Sequence, residues 1–196
     1  MKRISGMVVV VVVALLAPAG SWGATFNVNT TADSTVVGGC VTEPVCSLRD
    51  AVAAASVSVD PEDRIEVPAG TYGLTSGEEL ELTGGGAVTI HGAGARATVI
   101  DALAGGRVLK LEGPEVTIEG VAITGGLAGP EVTEFAGDGG GILVVTSKSL
   151  TLNQVAVRGN SAILNGGGIA APPESGVTTA VTIVASTISG NKVAGG

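Results

Sequence analysis

One eleven-residue phrase keeps returning along this chain, and its return limits the architectures open to it. Val116-Thr-Ile-Glu-Gly-Val-Ala-Ile-Thr-Gly-Gly126 recurs as Leu150-Thr-Leu-Asn-Gln-Val-Ala-Val-Arg-Gly-Asn160 and again as Val181-Thr-Ile-Val-Ala-Ser-Thr-Ile-Ser-Gly-Asn191. A shorter copy, Val88-Thr-Ile-His-Gly92, precedes them, so the starts are 28, 34 and 31 residues apart. A second phrase, Gly139-Gly-Gly-Ile142, returns as Gly166-Gly-Gly-Ile169. A period near 30 residues marks a stack of like units, each burying its apolar face against its neighbours.

Inside each copy the apolar residues alternate. Val116 and Ile118 share one face, Thr117 takes the other, and Val121 and Ile123 resume the pattern after a corner. Period two is the strand period, and Val, Ile and Thr are strand formers. A helical reading fails because glycine recurs every few residues. Leucine is too sparse for leucine-rich repeats, and the Trp-Asp dipeptides of a propeller are missing. Short strands joined by tight corners make the coils of a parallel β-helix, an all-β solenoid. Composition agrees, with 32 glycines in 196 residues and only 2% aromatics. Such a chain has to build its core from thin aliphatic layers. Asn160 and Asn191 fall at one phase, each after a glycine, and are expected to stack as a structural ladder. The glycine runs read as corners, because the Lys-Ser/Thr that completes a phosphate loop does not follow them.

The ends differ from the middle. Lys2 and Arg3 precede an apolar run from Met7 to Leu16, then Pro18, Gly20, and the small residues Ser21 and Gly23 ahead of Ala24. This is the pattern of a secretory signal, and the run is shorter than the roughly 20 residues of a membrane span. The expected division is 1–23 signal peptide, 24–62 N-terminal cap and 63–196 coils, breaking off in mid-repeat at Gly195-Gly196. The expected location is outside the cell or on its surface, with no membrane span in the mature part. Without Lys2 and Arg3 the formal charge moves from −8 to −10. With no basic cluster either, nucleic acid is not an expected partner. Cys40 and Cys46, six apart in an exported chain, are expected to form a disulfide. No metal or cofactor is expected, since one cysteine pair without a nearby histidine does not make a zinc site.

Thr25-Phe-Asn-Val-Asn29 reads as an edge strand. Ser47 sits three before Asp50, a capping box, and opens a helix whose apolar face is Leu48, Val52, Ala55 and Val59. Asp60-Pro61 ends it. Such a helix suits the exposed end of a solenoid, where unpaired strand edges need cover.

Cys46-Ser-Leu-Arg-Asp-Ala51 resembles the Cys-Ser-Leu-Arg-Glu-Ala signature of the CSLREA domain of secreted bacterial proteins, with Asp50 in place of Glu. Thr25 to Asp33 resembles that domain's opening. The Gly-Gly-Gly-Ile and Gly-Asn phrases resemble the repeats of polymorphic outer membrane proteins and right-handed β-helix regions. The resemblance implies a secreted or surface-displayed, right-handed parallel β-helix with an N-terminal capping strand and helix. It brings no catalytic residues.

Parallel β-helices also host polysaccharide lyases and hydrolases, and Val67-Pro-Ala-Gly-Thr-Tyr72 resembles a first-coil segment of enzymes and non-enzymes alike. Those chemistries need acids or bases grouped at fixed separation. Asp33, Asp50, Asp60, Asp63, Asp101 and Asp138 show no two at matching coil phase. Asp138, in Gly137-Asp-Gly-Gly140, reads as a turn residue. His91 reads as a corner histidine lacking an acid to orient it, and Arg49 and Arg158 as surface or packing groups. No catalytic residue is expected. The expected function is a non-catalytic structural or adhesive module, adhesin-like, whose partner is a polysaccharide or a host or cell-surface ligand. The alternative is a carbohydrate-active enzyme, a lyase or hydrolase of the β-helix type.

Overall fold

Each stretch of alternating residues becomes a strand lying directly on its counterpart one repeat earlier. The computed structural model describes residues 23–36, 38–84, 86–130, 135–173 and 178–194. The signal-peptide reading therefore falls, apart from Gly23, outside the described residues. After β1 (Thr25–Asn27) and α1 (Leu48–Val57), the first coil is β2 (Glu62–Val67), β3 (Gly70–Gly73) and β4 (Leu80–Thr83). The second is β5 (Ala87–Gly92), β6 (Thr98–Asp101) and β7 (Leu109–Glu112). The third is β8 (Val116–Glu119), β9 (Ala122–Thr124), β10 (Leu127–Ala128) and β11 (Ile142–Val144). The fourth is β12 (Ser149–Asn153), β13 (Ala156–Arg158), β14 (Ser161–Ala162) and β15 (Ile169–Ala170). Then come β16 (Ala180–Val184), β17 (Thr187–Ser189) and β18 (Lys192–Val193).

All pairings are parallel, and four sheets run along the solenoid. The longest is β1-β2-β5-β8-β12-β16. The others are β3-β6-β9-β13-β17, β4-β7-β11-β15 and β10-β14-β18. The result is a parallel β-solenoid of about four turns with one short helix. Its register is that of the aligned repeats, Val88 on Val116 on Leu150 on Val181.

The core is a set of aliphatic columns. Ile65, Ile90, Ile118 and Leu152 form one column in the longest sheet, each essentially without exposure. Burying a side chain of this size contributes about 1.5–3 kcal/mol. Leu80, Leu109 and Ile142 form another on the opposite wall. Tyr72, the largest buried side chain of the first coil, donates its hydroxyl to the Pro68 carbonyl at 2.9 Å, so its polar end is served.

The cap lies across the first coil. β1 adds a rung by pairing with β2, and α1 packs on β4, β2 and β1 with Leu48, Ala51, Val52 and Ala55 buried. The capping box is formed from both sides, Ser47 Oγ accepting from the Asp50 amide and Asp50 accepting from the Ser47 amide. One expectation needs correcting here. The helix ends at Val57, and Val59, expected on its apolar face, is 98% exposed beyond it. Ser58 takes up extended backbone and stops the helical periodicity two residues before Asp60-Pro61.

Candidate functional site

The signature residues of the cap are tied into structure. Cys40 and Cys46 are joined in a disulfide. The Cys46 amide donates to Asn29 Oδ1 at 2.9 Å, fastening the bridge to the segment just after β1. Arg49, expected to be a surface or packing group, is a half-hidden clamp. Its Nε reaches Asp33 Oδ1 at 2.7 Å, and its Nη1 and Nη2 donate to the Glu79 and Glu78 carbonyls at 2.9 and 2.8 Å. Burial pushes the Asp33 carboxyl up. The hydrogen bonds from Arg49 and Ser76, with the Arg49 charge, outweigh that and hold it below the usual carboxylate range.

Asn160 is buried, and its amide is fully used. Oδ1 accepts from the Gly126 amide at 2.9 Å, and Nδ2 donates to the Ile123 carbonyl and to Asn191 Oδ1, both at 3.1 Å. Asn191 repeats the pattern one coil on, accepting from the Asn160 amide at 3.0 Å and donating to Val157 O at 2.9 Å. A second stacked pair escaped the sequence reading. Asp138, expected to be a plain turn residue, is 5% exposed, and its Oδ1 accepts from Asn165 Nδ2 at 2.8 Å across one coil. Both precede a glycine with positive φ, Gly139 and Gly166, at the same point of the coil. Arg107, also unforeseen, is buried beneath them. It donates to the carbonyls of Phe135, Asp138 and Gly139 and pairs with Glu79.

The outer face of the longest sheet carries a further set of polar groups. One column runs Arg64, Thr89, Thr117, Thr151, Thr182, and the next Glu66, His91, Glu119, Asn153. The expectation that His91 lacks an acid is wrong. Its Nδ1 lies 2.8 Å from Glu66 Oε2, and Glu119 is its partner on the following strand. Glu66 also accepts from Arg64 Nε. Burial raises the Glu66 carboxyl, but the hydrogen bonds from His91 and Arg64 and their charges prevail and keep it below its ordinary value. Asn153 Nδ2 donates to Glu119 Oε1 at 3.3 Å, so the column is linked at both ends. The signal was present in the sequence. Ile65-Glu66, Ile90-His91, Ile118-Glu119 and Leu152-Asn153 hold the same phase, and a search restricted to aspartates passes over it.

A shallow groove of about 300 Å³ opens beside this column, lined by His91, Gly94, Glu119, Asn153 and Gln154. Its wall exists because the corner after β5 is long: His91 and Val99 are eight positions apart, whereas Glu119 and Ala122, their neighbours on the next coil, are three. In the following coils the corner closes at once through a residue in the left-handed region, Gly120, Gln154 or Ala185. Arg158, the other singled-out arginine, stands exposed on β13 in a different sheet and does not join the column.

No protein-family model, no curated protein and no solved structure matches this chain. The site is therefore read from its own chemistry. Among the described residues, no three or more His, Cys, Asp or Glu are grouped to hold a metal ion, and no helix is long and apolar enough to cross a membrane. The outer face offers hydroxyls, a carboxylate–imidazole pair and a carboxamide in a regular array. Such a set has both donors and acceptors to offer, and a carboxylate beside an imidazole is also an arrangement that can orient the ring for proton transfer.

Proposed function

We propose that this is an exported β-helix protein acting outside the cell or on its surface as a structural or adhesive module. Its contact face is the outer side of the long sheet, and its partner a polysaccharide or a comparably hydroxyl-rich surface ligand. The observation that carries the reading is the register of the two polar columns. Thr89, Thr117, Thr151 and Thr182 repeat at the strand spacing of about 4.8 Å, beside Glu66, His91, Glu119 and Asn153. A linear ligand lying along the solenoid would meet equivalent donors and acceptors at every coil. Several acids elsewhere already have structural work. Asp33 holds Arg49, Asp50 caps α1, Asp138 holds Asn165, Glu79 holds Arg107, and Glu81 and Glu112 share Lys110.

Export is supported by the leader-like first residues, the disulfide and the resemblance of Cys46 to Ala51 to the CSLREA signature. A net charge of −8 disfavours polyanionic partners. The test is binding of the purified protein to a panel of immobilised glycans. Thr117→Val with Thr151→Val should weaken binding about tenfold or more while leaving the melting temperature unchanged. Retention by no glycan and by no cell surface would remove the proposal.

The hydrogen bond between His91 and Glu66, with Glu119 one strand away, favours a second reading, polysaccharide cleavage. Turnover of any polysaccharide in the same panel, lost in His91→Gln, would establish it in place of the first.

A further inference from the structure

The column at the start of the long sheet faces inward and runs Asp63, Val88, Val116, Leu150, Val181. Four members are aliphatic. The first is a carboxylic acid, 1% exposed, where every later coil places a hydrocarbon. A buried carboxylate is stable only when its charge and lone pairs are met, and here they are half met. Oδ1 accepts from the Ala24 amide at 3.0 Å, while Oδ2, equally buried, has no partner among the described residues.

The one hydrogen-bond partner of the Asp63 carboxylate among the described residues is the residue at which the leader is expected to be cut. Ala24 follows Ser21-Trp-Gly23 directly. It is fixed from the other side too, its carbonyl accepting from the Arg64 amide at 2.8 Å, and its side chain packs against the core. Gly23 runs so close to β2 that a Cβ there would overlap the Glu62 carbonyl oxygen. The chain thus enters the fold at Ala24 with its nitrogen aimed at the unsatisfied acid.

We propose that Asp63 is the receptor for the α-ammonium that leader removal creates at Ala24. This rests on the export reading. Hydrolysis of the Gly23–Ala24 amide by a signal peptidase consumes one water. Gly23 leaves as a carboxylate on the released peptide, and the Ala24 nitrogen, protonated, becomes an ammonium with three N–H donors in place of one. One donor keeps Oδ1, a second serves Oδ2, and the positive charge neutralises the buried carboxylate. Processing therefore strengthens the seam between β1 and β2, strands that already pair in the uncut chain.

Two experiments separate this from the export reading. N-terminal sequencing of the protein recovered outside the cell tests export and cleavage alone, and any start other than Ala24 sinks that part. The pairing is tested on two purified chains, one beginning at Ala24 and one retaining Ser21-Trp-Gly before it. The first should melt several degrees higher. Asp63→Asn should erase the gap by lowering the first chain only. In the chain beginning at Ala24, the α-amine should react with an acylating reagent at least tenfold more slowly than the exposed Lys148, although a free α-amine is the more reactive of the two near neutral pH because its pKa is lower. Equal melting of the two chains, a gap that survives Asp63→Asn, or an α-amine labelled as fast as Lys148 would overturn the proposal.

Discussion

Ile65 and Ile183 belong to one column, in the same register and facing the same interior, yet Ile65 has no exposure and Ile183 is 49% exposed. The residue type and the local backbone are alike, so the difference lies in what covers each. Above Ile65 sit β1 and α1, the latter fastened by its capping box, by Arg49 and by the nearby disulfide. On β16, β17 and β18, which have no further strand stacked on them among the described residues, Val181, Ile183, Ile188 and Val193 are each 40% exposed or more. A coil in this molecule does not bury its own core; the next coil or the cap does. Stability is then a sum of neighbour-to-neighbour terms, and positions with different cover should respond differently to the same change.

The largest contrast is expected inside the column. Ile118→Ala, between two covered neighbours, should destabilise by about 4 kcal/mol in a urea titration, against about 1 kcal/mol for Ile183→Ala. Similar losses at both positions would mean that Ile183 is as well covered as Ile118. At the capped end, Arg49→Ala removes the charge that balances Asp33 and leaves the Glu78 and Glu79 carbonyls unserved, a loss of about 3 kcal/mol.

Acid gives a finer test of the same clamp. Because the Asp33 carboxyl is held below its ordinary 3.8, the stability it contributes is full above that value and is lost as pH falls through the lowered one. The stability gap between the wild type and Asp33→Asn should accordingly be constant above about pH 5 and shrink below 3.8. A gap that does not change with pH would show that the clamp works through packing rather than charge.

In the fourth coil, Asn160→Ala strands the Gly126 amide and the Ile123 carbonyl and should destabilise by about 2 kcal/mol. Asn153→Ala, on the solvent face of the same coil, should stay within about 0.5 kcal/mol. The smallest effect belongs to the corner after β12. Gln154 has φ of +55°, and Gln154→Gly relieves that strain while adding chain entropy to the unfolded state. The terms nearly cancel, leaving a change of about 0.5 kcal/mol or less.

The solenoid was readable because repetition writes the register out in advance: aligning Val116 with Leu150 and Val181 is the same act as pairing β8, β12 and β16. The polar column was harder to see because its first coil is disguised. Asp63-Arg-Ile-Glu66 is a copy of Val88-Thr-Ile-His91, but the acid at its head hides the apolar alternation by which the other copies were recognised. Arg107 and the Asp138–Asn165 pair were hidden for another reason. They depend on corner loops of unequal length, where sequence distance no longer reports height along the stack. Arg49 was visible as part of a signature, yet its carbonyl partners lie some thirty residues away, in a loop that carries no pattern of its own.

The asparagine pair is polar in a directional sense as well. Each side-chain oxygen accepts from an amide of the coil before it and each Nδ2 donates to a carbonyl of that coil, while Asn160 in turn donates its own backbone amide to the Asn191 oxygen in the coil after. A unit of that kind has a head and a tail but no preferred number. Were the segment encoding one coil duplicated by unequal recombination, the inserted copy would find an acceptor waiting on one side and a donor on the other, with no compensating change elsewhere. Length is therefore a quantity that inheritance can alter in whole steps at little risk to folding, while the cap, which is built once and repeats nothing, is the part that recombination must leave alone.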